Sequence, residues 1–302
     1  MNKTPVIKII GVGGAGNNAL DHLAQDRIGN VEIVAVNTDA RVLLRSKADR
    51  KVLIGKDISG GNSTGNNIKM GERCAKYDIE KIAEVVDDSD LVFIICGLGG
   101  GTGSGASPVI GDLARTKGAL TVAVATTPFN SEGEPIRENA EKGLGRLKNN
   151  ADAVILFSNE KLLKVMQDQP ITEAFDSVNR MIAGIVREMV SIIGEEGVVN
   201  LSIADLRSVL KEGRTVACAI GRGEDPMSSL RDVLKSPFAE VDFRSVKNIF
   251  INVSGNISTK LEDVEAAIKL LANKTGGKVD ILWGMQNKLP QEEEVRTLLI
   301  LS

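Results

Sequence analysis

Apolar and amphipathic stretches alternate along the first two thirds of the chain. The apolar stretches are short and rich in β-branched residues, and they predict β-strands over 6–10, 31–37, 51–54, 91–96, 120–127 and 153–158. Between them, patterns typical of helices lie near 17–27, 39–47, 67–86, 106–117 and 134–149. Since the strands are almost continuously apolar, we expect a sheet that is buried on both faces. The alternation predicts right-handed β–α–β units and an α/β domain with a doubly wound, mostly parallel sheet.

One long helical pattern follows this region. Ile171, Phe175, Val178 and Ile182 begin a series of apolar residues at helical spacing, and Gly194 is a natural end for the helix. Beyond it, strands are predicted over 215–221, 246–255, 277–286 and 295–302, with helices near 203–211, 227–235 and 260–273. We therefore expect a first domain over 1–170, a central linking helix over 171–194 and a second, smaller α/β domain over 195–302.

The composition excludes several classes of function. The net charge is −3 and no long basic run occurs, so the chain lacks the electrostatic footprint of a nucleic-acid-binding protein. The cysteines Cys74, Cys96 and Cys218 are not in metal-ligand spacing, and we assign no metal-binding residues. The N-terminus does not resemble a signal peptide, and no apolar run reaches the roughly 20 residues that span a bilayer. We expect a cytoplasmic protein that does not insert into a membrane.

The single histidine, His22, limits the possible chemistry. Catalysis by a Ser–His or Cys–His pair would have to use this residue. It follows a glycine-rich turn, on the side of a helix that we expect to be exposed. We interpret it as a surface residue.

Two glycine-rich loops carry the candidate chemistry. The first, GVGGAGNNAL, lies between a strand and a helix and places Gly11, Gly13 and Gly16 in the G-x-G-x-x-G spacing of dinucleotide-binding folds. Asp39, at the end of the next strand, supplies the acidic residue of that fingerprint. Taken alone, this loop predicts an NAD site, and an NAD-dependent oxidoreductase is one alternative interpretation of the chain.

The second loop, CGLGGGTGSGAS at 96–107, favours a nucleoside triphosphate. Six of the nine residues from Gly97 to Gly105 are glycine, and the loop leads into a helix whose first turn we expect to contain Pro108. Backbone N–H groups of successive glycines can converge on one anion, and a helix N-terminus adds positive potential. The loop lacks the lysine of a P-loop. Two phosphate loops on neighbouring strands suit a triphosphate, and we expect phosphate to occupy the space that the missing side chains leave.

These motifs resemble those of the tubulin superfamily, and most closely its FtsZ branch of cell-division GTPases. GGGTGSG is similar to the superfamily signature, and the resemblance continues in order along nearly the whole chain. It is carried by GVGGAGNNA, AVNTDA, GNNIKMG, GGGTGSGASPV, TPFNSEG, SNEKLLKV, AFDSVN, GVVNLSIADLRSVL and LKSP. The resemblance implies a tubulin-like fold and a GTPase that binds GTP or GDP together with Mg²⁺.

The resemblance also implies which residues contact the nucleotide. The first loop contributes Gly13, Gly14 and Asn18 to the phosphates and base, and the residues expected to cradle the α- and β-phosphates are Gly100, Gly101, Thr102, Gly103 and Ser104. A loop made of Gly65, Asn66 and Asn67 senses the γ-phosphate. Glu132 contacts the ribose and Asn159 lies near the sugar. Phe175 and Asn179 bracket the base, and their spacing places both on one face of a helix; without the resemblance, Phe175 would be interpreted as a core residue.

One position departs from the family pattern. Members of the FtsZ branch usually carry an arginine four residues after the residue that matches Glu132, but this chain has Ile136 there and Arg137 next. One residue corresponds to about 100° around a helix. We nevertheless assign Arg137 to the ribose.

The resemblance implies that a loop of the next subunit in a filament completes hydrolysis. The matching segment runs from Asn200 to Asp205, where Ser202 replaces the first acid of the usual N-x-D-x-x-D pattern. We expect Asp205 to polarise the attacking water, Asn200 to assist, and Ser202 to donate a hydrogen bond without supplying charge, so that hydrolysis is slow. Asp205 also suits the first turn of a helix, where an acid stabilises the helix dipole. A tubulin-like assembly protein that does not hydrolyse GTP is a second alternative.

The expected partner is another copy of the chain. Head-to-tail contacts are heterologous and build an open filament when the rotation does not close, so we expect a self-assembling cytoskeletal GTPase that acts at the site of cell division. The γ-phosphate favours the contact between subunits and hydrolysis weakens it. Relatives of this kind usually continue into a flexible linker and a tail peptide that recruits membrane adaptors. The sequence ends at Ser302 before any such segment and identifies no adaptor.

Overall fold

The chain divides into two units in a computed structural model, which describes residues 4–25, 29–165, 170–195, 197–210, 214–255, 259–287 and 294–302. Unit 1 comprises residues 1–183 and 211–215, and unit 2 comprises 184–210 and 216–302. The division falls inside the long helix, between Ala183 and Gly184.

Unit 1 is built on a parallel sheet with the strand order β3-β2-β1-β4-β5-β6. Its elements are β1 (Ile7–Val12), α1 (Gly13–Leu23), β2 (Val31–Asn37), α2 (Ala40–Arg45), β3 (Arg50–Leu53), α3 (Lys56–Ser59), α4 (Ile68–Tyr77), α5 (Ile79–Val86), β4 (Leu91–Gly97), α6 (Gly101–Thr116), β5 (Leu120–Thr127), a 3₁₀ turn (Asn130–Glu132), α7 (Glu134–Asn150), β6 (Ala153–Ser158), α8 (Asn159–Val165) and the first part of α9 (Ile171–Gly194). The prediction of a mostly parallel α/β fold is confirmed.

The strand order explains where a ligand can bind. β2 and β3 lie on one side of β1, whereas β4 lies on the other, so the order reverses between β1 and β4. The two strands run parallel, with Val12 opposite Cys96 at their carboxyl ends. Ligands of open α/β sheets bind at such a reversal point. The two glycine-rich loops follow β1 and β4, and the fold therefore brings them together.

Two helices of unit 1 differ from the sequence expectation. The pattern over 67–86 forms two helices, because the backbone leaves the helical region at Asp78, with φ of −102° and ψ of 35°. The Asp78 carboxylate there accepts a hydrogen bond from the N–H of Gly55 at 2.6 Å. The helix expected from residue 106 begins at Gly101, so the expectation that Pro108 occupies its first turn is wrong. Pro108 lies inside α6, where it has no N–H to donate to the preceding turn.

Unit 2 contains a mixed sheet with the strand order β7-β10-β8-β9. β10 is antiparallel to β7 and β8, while β8 and β9 are parallel. Its elements, after the second part of α9, are α10 (Ile203–Val209), β7 (Arg214–Gly223), α11 (Pro226–Lys235), β8 (Asn248–Gly255), α12 (Leu261–Lys274), β9 (Asp280–Asn287) and β10 (Val295–Leu301). Leu230 and Leu271 pack against strand residues such as Ile251 and Leu299 in its core. Within the described residues, no helix has both the length and the apolar character needed to cross a membrane.

Candidate nucleotide-binding site

A cavity of about 1130 Å³ lies at the carboxyl ends of the strands of unit 1. Both glycine-rich loops, loop 63–67 between α3 and α4, and the face of α9 up to Ile182 contribute to its lining. The predicted nucleotide contacts that line it are Gly13, Gly14, Asn18, Gly65, Asn66, Gly100, Gly101, Thr102, Gly103, Glu132, Asn159, Phe175 and Asn179. The fold thus gathers most of the predicted residues around one space.

The N-termini of two helices meet in this cavity. Gly13 opens α1 with φ of 74°, and a Cβ at this position would lie 3.1 Å from the backbone nitrogen of Gly103 in α6. Within the described residues, neither N-cap residue, Val12 for α1 or Gly100 for α6, gives a side-chain capping hydrogen bond. The N–H groups in the first turn of a helix have no partner inside it. Two such turns beside one cavity form a site for an anion.

The glycines of the second loop serve two different purposes. A Cβ at Gly100 or at Gly14 would meet no atom within 4 Å, so these two positions leave space open at the cavity. A Cβ at Gly103 would lie 2.2 Å from the carbonyl oxygen of Gly97, and one at Gly101 would lie 2.5 Å from Oγ1 of Thr64. The expectation that phosphate occupies the space left by the missing side chains is therefore wrong for Gly101 and Gly103, and stays a prediction for Gly14 and Gly100. At Gly101 and Gly103 the close neighbour is the protein itself.

The charges around the cavity are mostly negative. The acidic residues of the lining are Asp21, Asp39, Glu132 and Asp176, and among the described lining residues none is lysine or arginine. The hydrogen bond from the Arg41 side chain holds the pKa of Asp39 below its ordinary value, so this carboxylate is charged at neutral pH. Attraction for an anion must therefore come from backbone N–H groups and helix dipoles.

Aromatic and polar side chains meet at the α9 end of the cavity. The rings of Phe129 and Phe175 pack edge to face, with centroids 5.5 Å apart and planes at 78°. Phe175 is 43% exposed, so the alternative interpretation of this residue as part of the core is wrong. The side chain of His22 is only 18% exposed and lies 3.0 Å from a carboxylate oxygen of Asp176. His22 therefore lies at the cavity rather than on the open surface where we expected it.

Three predicted contacts do not line the cavity. Oδ1 of Asn67 accepts the N–H of Met70 and caps α4. Ser104 is fully buried, and its hydroxyl oxygen accepts the N–H of Gly99 at 2.8 Å. The guanidinium of Arg137 pairs with Glu134, one turn away on α7. These side chains are engaged within the protein, and their predicted contacts with nucleotide stay predictions.

The predicted catalytic segment lies in unit 2 and forms the start of α10. Ser202 and Asp205 make a reciprocal capping box, in which the Ser202 N–H and hydroxyl donate to Oδ2 of Asp205 at 2.9 and 2.7 Å. The hydroxyl bond, supported by the N–H bond, holds the pKa of Asp205 below its ordinary value. Oδ1 of Asp205 accepts no hydrogen bond within the described residues. Oδ1 of Asn200 accepts the N–H of Gly197 at 2.6 Å.

Several polar residues that belong to no recognised motif also surround the glycine loops. The hydroxyl of Thr102 lies 3.0 Å from those of both Thr38 and Thr64. The side-chain amide of Asn139 donates to the carbonyl oxygen of Asn66 at 2.7 Å and points at that of Gly99 at 3.3 Å. One sequence signal was present, because Thr38 directly follows the carboxyl end of an apolar strand. Thr64 and Asn139 lie in polar stretches that give no comparable signal.

Residues 6–167 match the sequence model described as Tubulin/FtsZ family, GTPase domain. The chain belongs to the Tubulin/FtsZ family. The family predicted from the glycine motifs is thus confirmed, together with the prediction of a GTPase. The dinucleotide interpretation of the first loop is wrong.

Individual members of the Tubulin/FtsZ family resemble the chain over nearly its full length. Cell division protein FtsZ 1 of Thermococcus kodakarensis is 40% identical over 299 residues, which are 98% of this chain and 80% of that protein. The empty FtsZ dimer of M. jannaschii superposes with a TM-score of 0.91 at 36% identity, covering 99% of this chain and 88% of that one. CetZ2 from Haloferax volcanii, in a GTPγS-bound protofilament, has a TM-score of 0.86 at 24% identity, covering 98% and 92%, and shows a shared fold.

Proposed function

We propose that the chain is a self-assembling GTPase of cell division, which binds GTP in the cavity of unit 1 and polymerises head to tail. The observation that carries this proposal is the meeting of two helix N-termini in one cavity, at the point where the strand order reverses; neither has a side-chain cap within the described residues. A nucleoside triphosphate offers several phosphates to two such termini. Unlike a dinucleotide, it gives both glycine loops a ligand.

The α9 end of the cavity suits a purine base. The half-exposed ring of Phe175 offers an apolar face, and Asn179 lies one turn further along the same face of α9. We assign stacking to Phe175 and hydrogen bonds with the base edge to Asn179 and Asn18. The side-chain amides offer both donors and acceptors, as the edge of guanine requires. Glu132 and Asn159 are assigned to the ribose.

The charge of the lining explains why Mg²⁺ should accompany GTP. A triphosphate brings several negative charges into a cavity whose described lining has four carboxylates and no lysine or arginine. Among the described residues, no three histidine, cysteine or acidic side chains gather to hold a metal. Mg²⁺ is often held by substrate phosphates and water. We therefore assign the neutralisation of the phosphate charge to Mg²⁺ bound mainly by the nucleotide.

Hydrolysis is assigned to the segment from Asn200 to Asp205 of the next subunit. The lowered pKa of Asp205 keeps its carboxylate charged at neutral pH, and both capping bonds fall on Oδ2, which leaves Oδ1 to orient a water. Ser202 contributes no charge, so hydrolysis is slow. The relatives that support assembly are the FtsZ proteins, one of which is described as a dimer. We place the protein in the cytoplasm, at the division site.

Steady-state phosphate release at increasing protein concentration tests this proposal. With GTP and Mg²⁺, the specific activity should rise above a threshold concentration, because an isolated subunit supplies only one part of each site. Chelation of Mg²⁺ should abolish release, and ATP should compete poorly for the cavity. Specific activity that is independent of protein concentration would contradict the role of the neighbouring subunit. Assembly without phosphate release would favour the non-hydrolysing alternative, which the serine at position 202 suggests.

A further inference from the structure

Loop 63–67 lies directly on the first turn of α6. The N–H of Gly101 donates to the carbonyl oxygen of Gly65 at 2.9 Å, and a Cβ on Gly101 would lie 2.7 Å from that same oxygen. Ser63, Gly65 and Asn66 of the loop line the cavity. The position of this loop therefore determines the shape of the cavity beside the glycine signature.

A chain of three buried hydroxyls connects this loop to the floor of the cavity. Thr102 lies in the centre, and its Oγ1 is 3.0 Å from Oγ1 of Thr64 on one side and 3.0 Å from Oγ1 of Thr38 on the other. All three residues are less than a tenth exposed, and Thr102 lines the cavity. A hydroxyl has one proton to donate and two lone pairs that accept. Thr102 can therefore donate to an anion only when its neighbours donate to it.

The row of three hydroxyls has two states, which differ in the direction in which each hydroxyl donates its proton. When Thr102 donates to an anion, Thr64 and Thr38 both donate to Thr102, so that the proton and both lone pairs of the Thr102 hydroxyl have hydrogen-bond partners. When no anion is present, Thr102 donates to one neighbour, and the proton of Thr64 can turn to the carbonyl oxygen of Gly65, 3.4 Å away. Hydrogen bonds in a row strengthen one another in a buried site. An anion at Thr102 therefore tightens the bond that holds the loop. GTP and GDP both bring phosphate to Thr102, but only GTP adds a γ-phosphate for the loop to contact.

A second side chain fixes the other end of the loop. The Asn139 amide donates to the carbonyl oxygen of Asn66 at 2.7 Å and lies 3.3 Å from that of Gly99. It thereby joins the loop to the glycine segment that precedes α6. Thr64 and Asn139 come from different elements and hold neighbouring residues of the same loop.

We propose that Thr64 and Asn139 are positioning residues that hold loop 63–67 for the terminal phosphate and so set the preference for GTP over GDP. The inference rests on the proposed function, because it takes the loop to face the γ-phosphate. Neither side chain has to touch the nucleotide: Thr64 acts through Thr102, and Asn139 acts through the loop backbone.

Calorimetric titration with GTPγS and GDP in the presence of Mg²⁺ tests this proposal. Thr64→Val keeps the shape of the side chain but loses the hydroxyl, and should weaken GTPγS binding about 3- to 10-fold, the range expected for one net hydrogen bond. GDP binding should weaken less than GTPγS binding, because GDP keeps the phosphates at Thr102 but has no γ-phosphate for the loop to contact. Thr64→Ser restores the hydroxyl and should restore the preference. Thr297→Val is the matched control, because it breaks another buried hydroxyl pair, with Ser229 at 2.6 Å in unit 2.

The outcomes separate this inference from the proposed function. If Thr64→Val weakens the binding of GTPγS and GDP equally, or weakens the binding of neither, the positioning role is overturned. The proposed function is not affected by that result. If Thr64→Val does not fold, Asn139→Ala decides the question, because it should also weaken GTPγS selectively, and equal effects on both nucleotides would overturn the role. Wild-type protein that binds neither nucleotide would instead overturn the proposed function, and the inference with it.

Discussion

At the scale of single residues, the glycine signature combines open space with close backbone packing. Gly14 and Gly100 border the cavity with nothing near a potential Cβ, whereas Gly103 lies against the carbonyl oxygen of Gly97. Side chains are thus excluded for two reasons. One group of glycines keeps space for a ligand, and the other lets α6 begin against β4.

This difference predicts that one alanine substitution lowers the stability of the fold, whereas another weakens GTP binding. Gly103→Ala would place a methyl group 2.2 Å from a backbone oxygen, so the start of α6 must move. We expect the free energy of unfolding without nucleotide to fall by about 1–3 kcal/mol, as for other overpacked sites. Gly100→Ala should leave that stability nearly unchanged and weaken GTP binding, since its methyl group enters the open cavity. Urea unfolding and calorimetry check both changes, and equal destabilisation by the two would refute this division of the glycines.

At the scale of elements, side chains cap several helices, but not the two helices whose N-termini meet at the cavity; α5 and α12, away from the cavity, also have no side-chain cap among the described residues. Asn67, Ser202 and Asp225 each accept a hydrogen bond that caps their helix, α4, α10 and α11. α1 and α6, which point at the cavity, have no such side-chain bond within the described residues. A ligand anion can take the place of the missing caps.

The capping box of α10 should make stability depend on pH. Ser202→Ala removes the hydroxyl that accepts the Asp205 N–H and donates to its carboxylate, and should cost about 1 kcal/mol at pH 7. Because Ser202 lowers the pKa of Asp205 in the folded state, this contribution is present above the ordinary carboxyl pKa and is lost as pH falls through the lowered value. The difference between wild type and variant in urea unfolding should therefore shrink below about pH 4. A difference that stays constant from pH 7 to pH 3 would exclude this linkage.

Periodicity predicts the elements of this protein better than it predicts their ends. LVFIIC at 91–96 forms β4 almost as expected, because a continuously apolar run has few alternatives to a buried strand. Glycine has a poor helix propensity, so a prediction based on propensity alone places the start of α6 too late in the sequence. The helix begins at Gly101 because α4 packs against it: a Cβ at Gly105 would lie 2.3 Å from the carbonyl oxygen of Ile68. A contact of this kind, between residues far apart in the sequence, cannot be predicted from the local pattern of apolar and polar residues.

The candidate site shows the same limit. Motif resemblance placed Gly13, Thr102 and Phe175 around one cavity, because glycine spacing and strand order together determine where the loops meet. It missed Thr64 and Asn139, whose contacts with Thr102 and Asn66 join residues 38 and 73 positions apart. Nothing in the sequence near either residue indicates such a partner.

At the scale of the whole molecule, binding and hydrolysis are assigned to different units. The cavity belongs to unit 1, and the segment from Asn200 to Asp205 belongs to unit 2. In a head-to-tail filament each subunit would give its cavity to one neighbour and its acid to the other. Loss of either part should then be repaired by a neighbour that has it.

Two inactive variants should therefore restore activity when they are mixed. Asp205→Ala keeps the cavity and should bind GTP but release little phosphate, while Gly14→Leu fills the open cavity and keeps the acid. In an equimolar mixture, half of the cavities and half of the acids are intact, so random head-to-tail neighbours should recover about a quarter of wild-type turnover. Asp225→Ala, which removes the acid of another capping box in unit 2, is the control and should remain active alone. Phosphate release measures each case. The prediction also requires that Asp205→Ala still binds GTP and assembles. If it does, and the mixture is as inactive as each variant alone, then the cavity and the acid must belong to one chain.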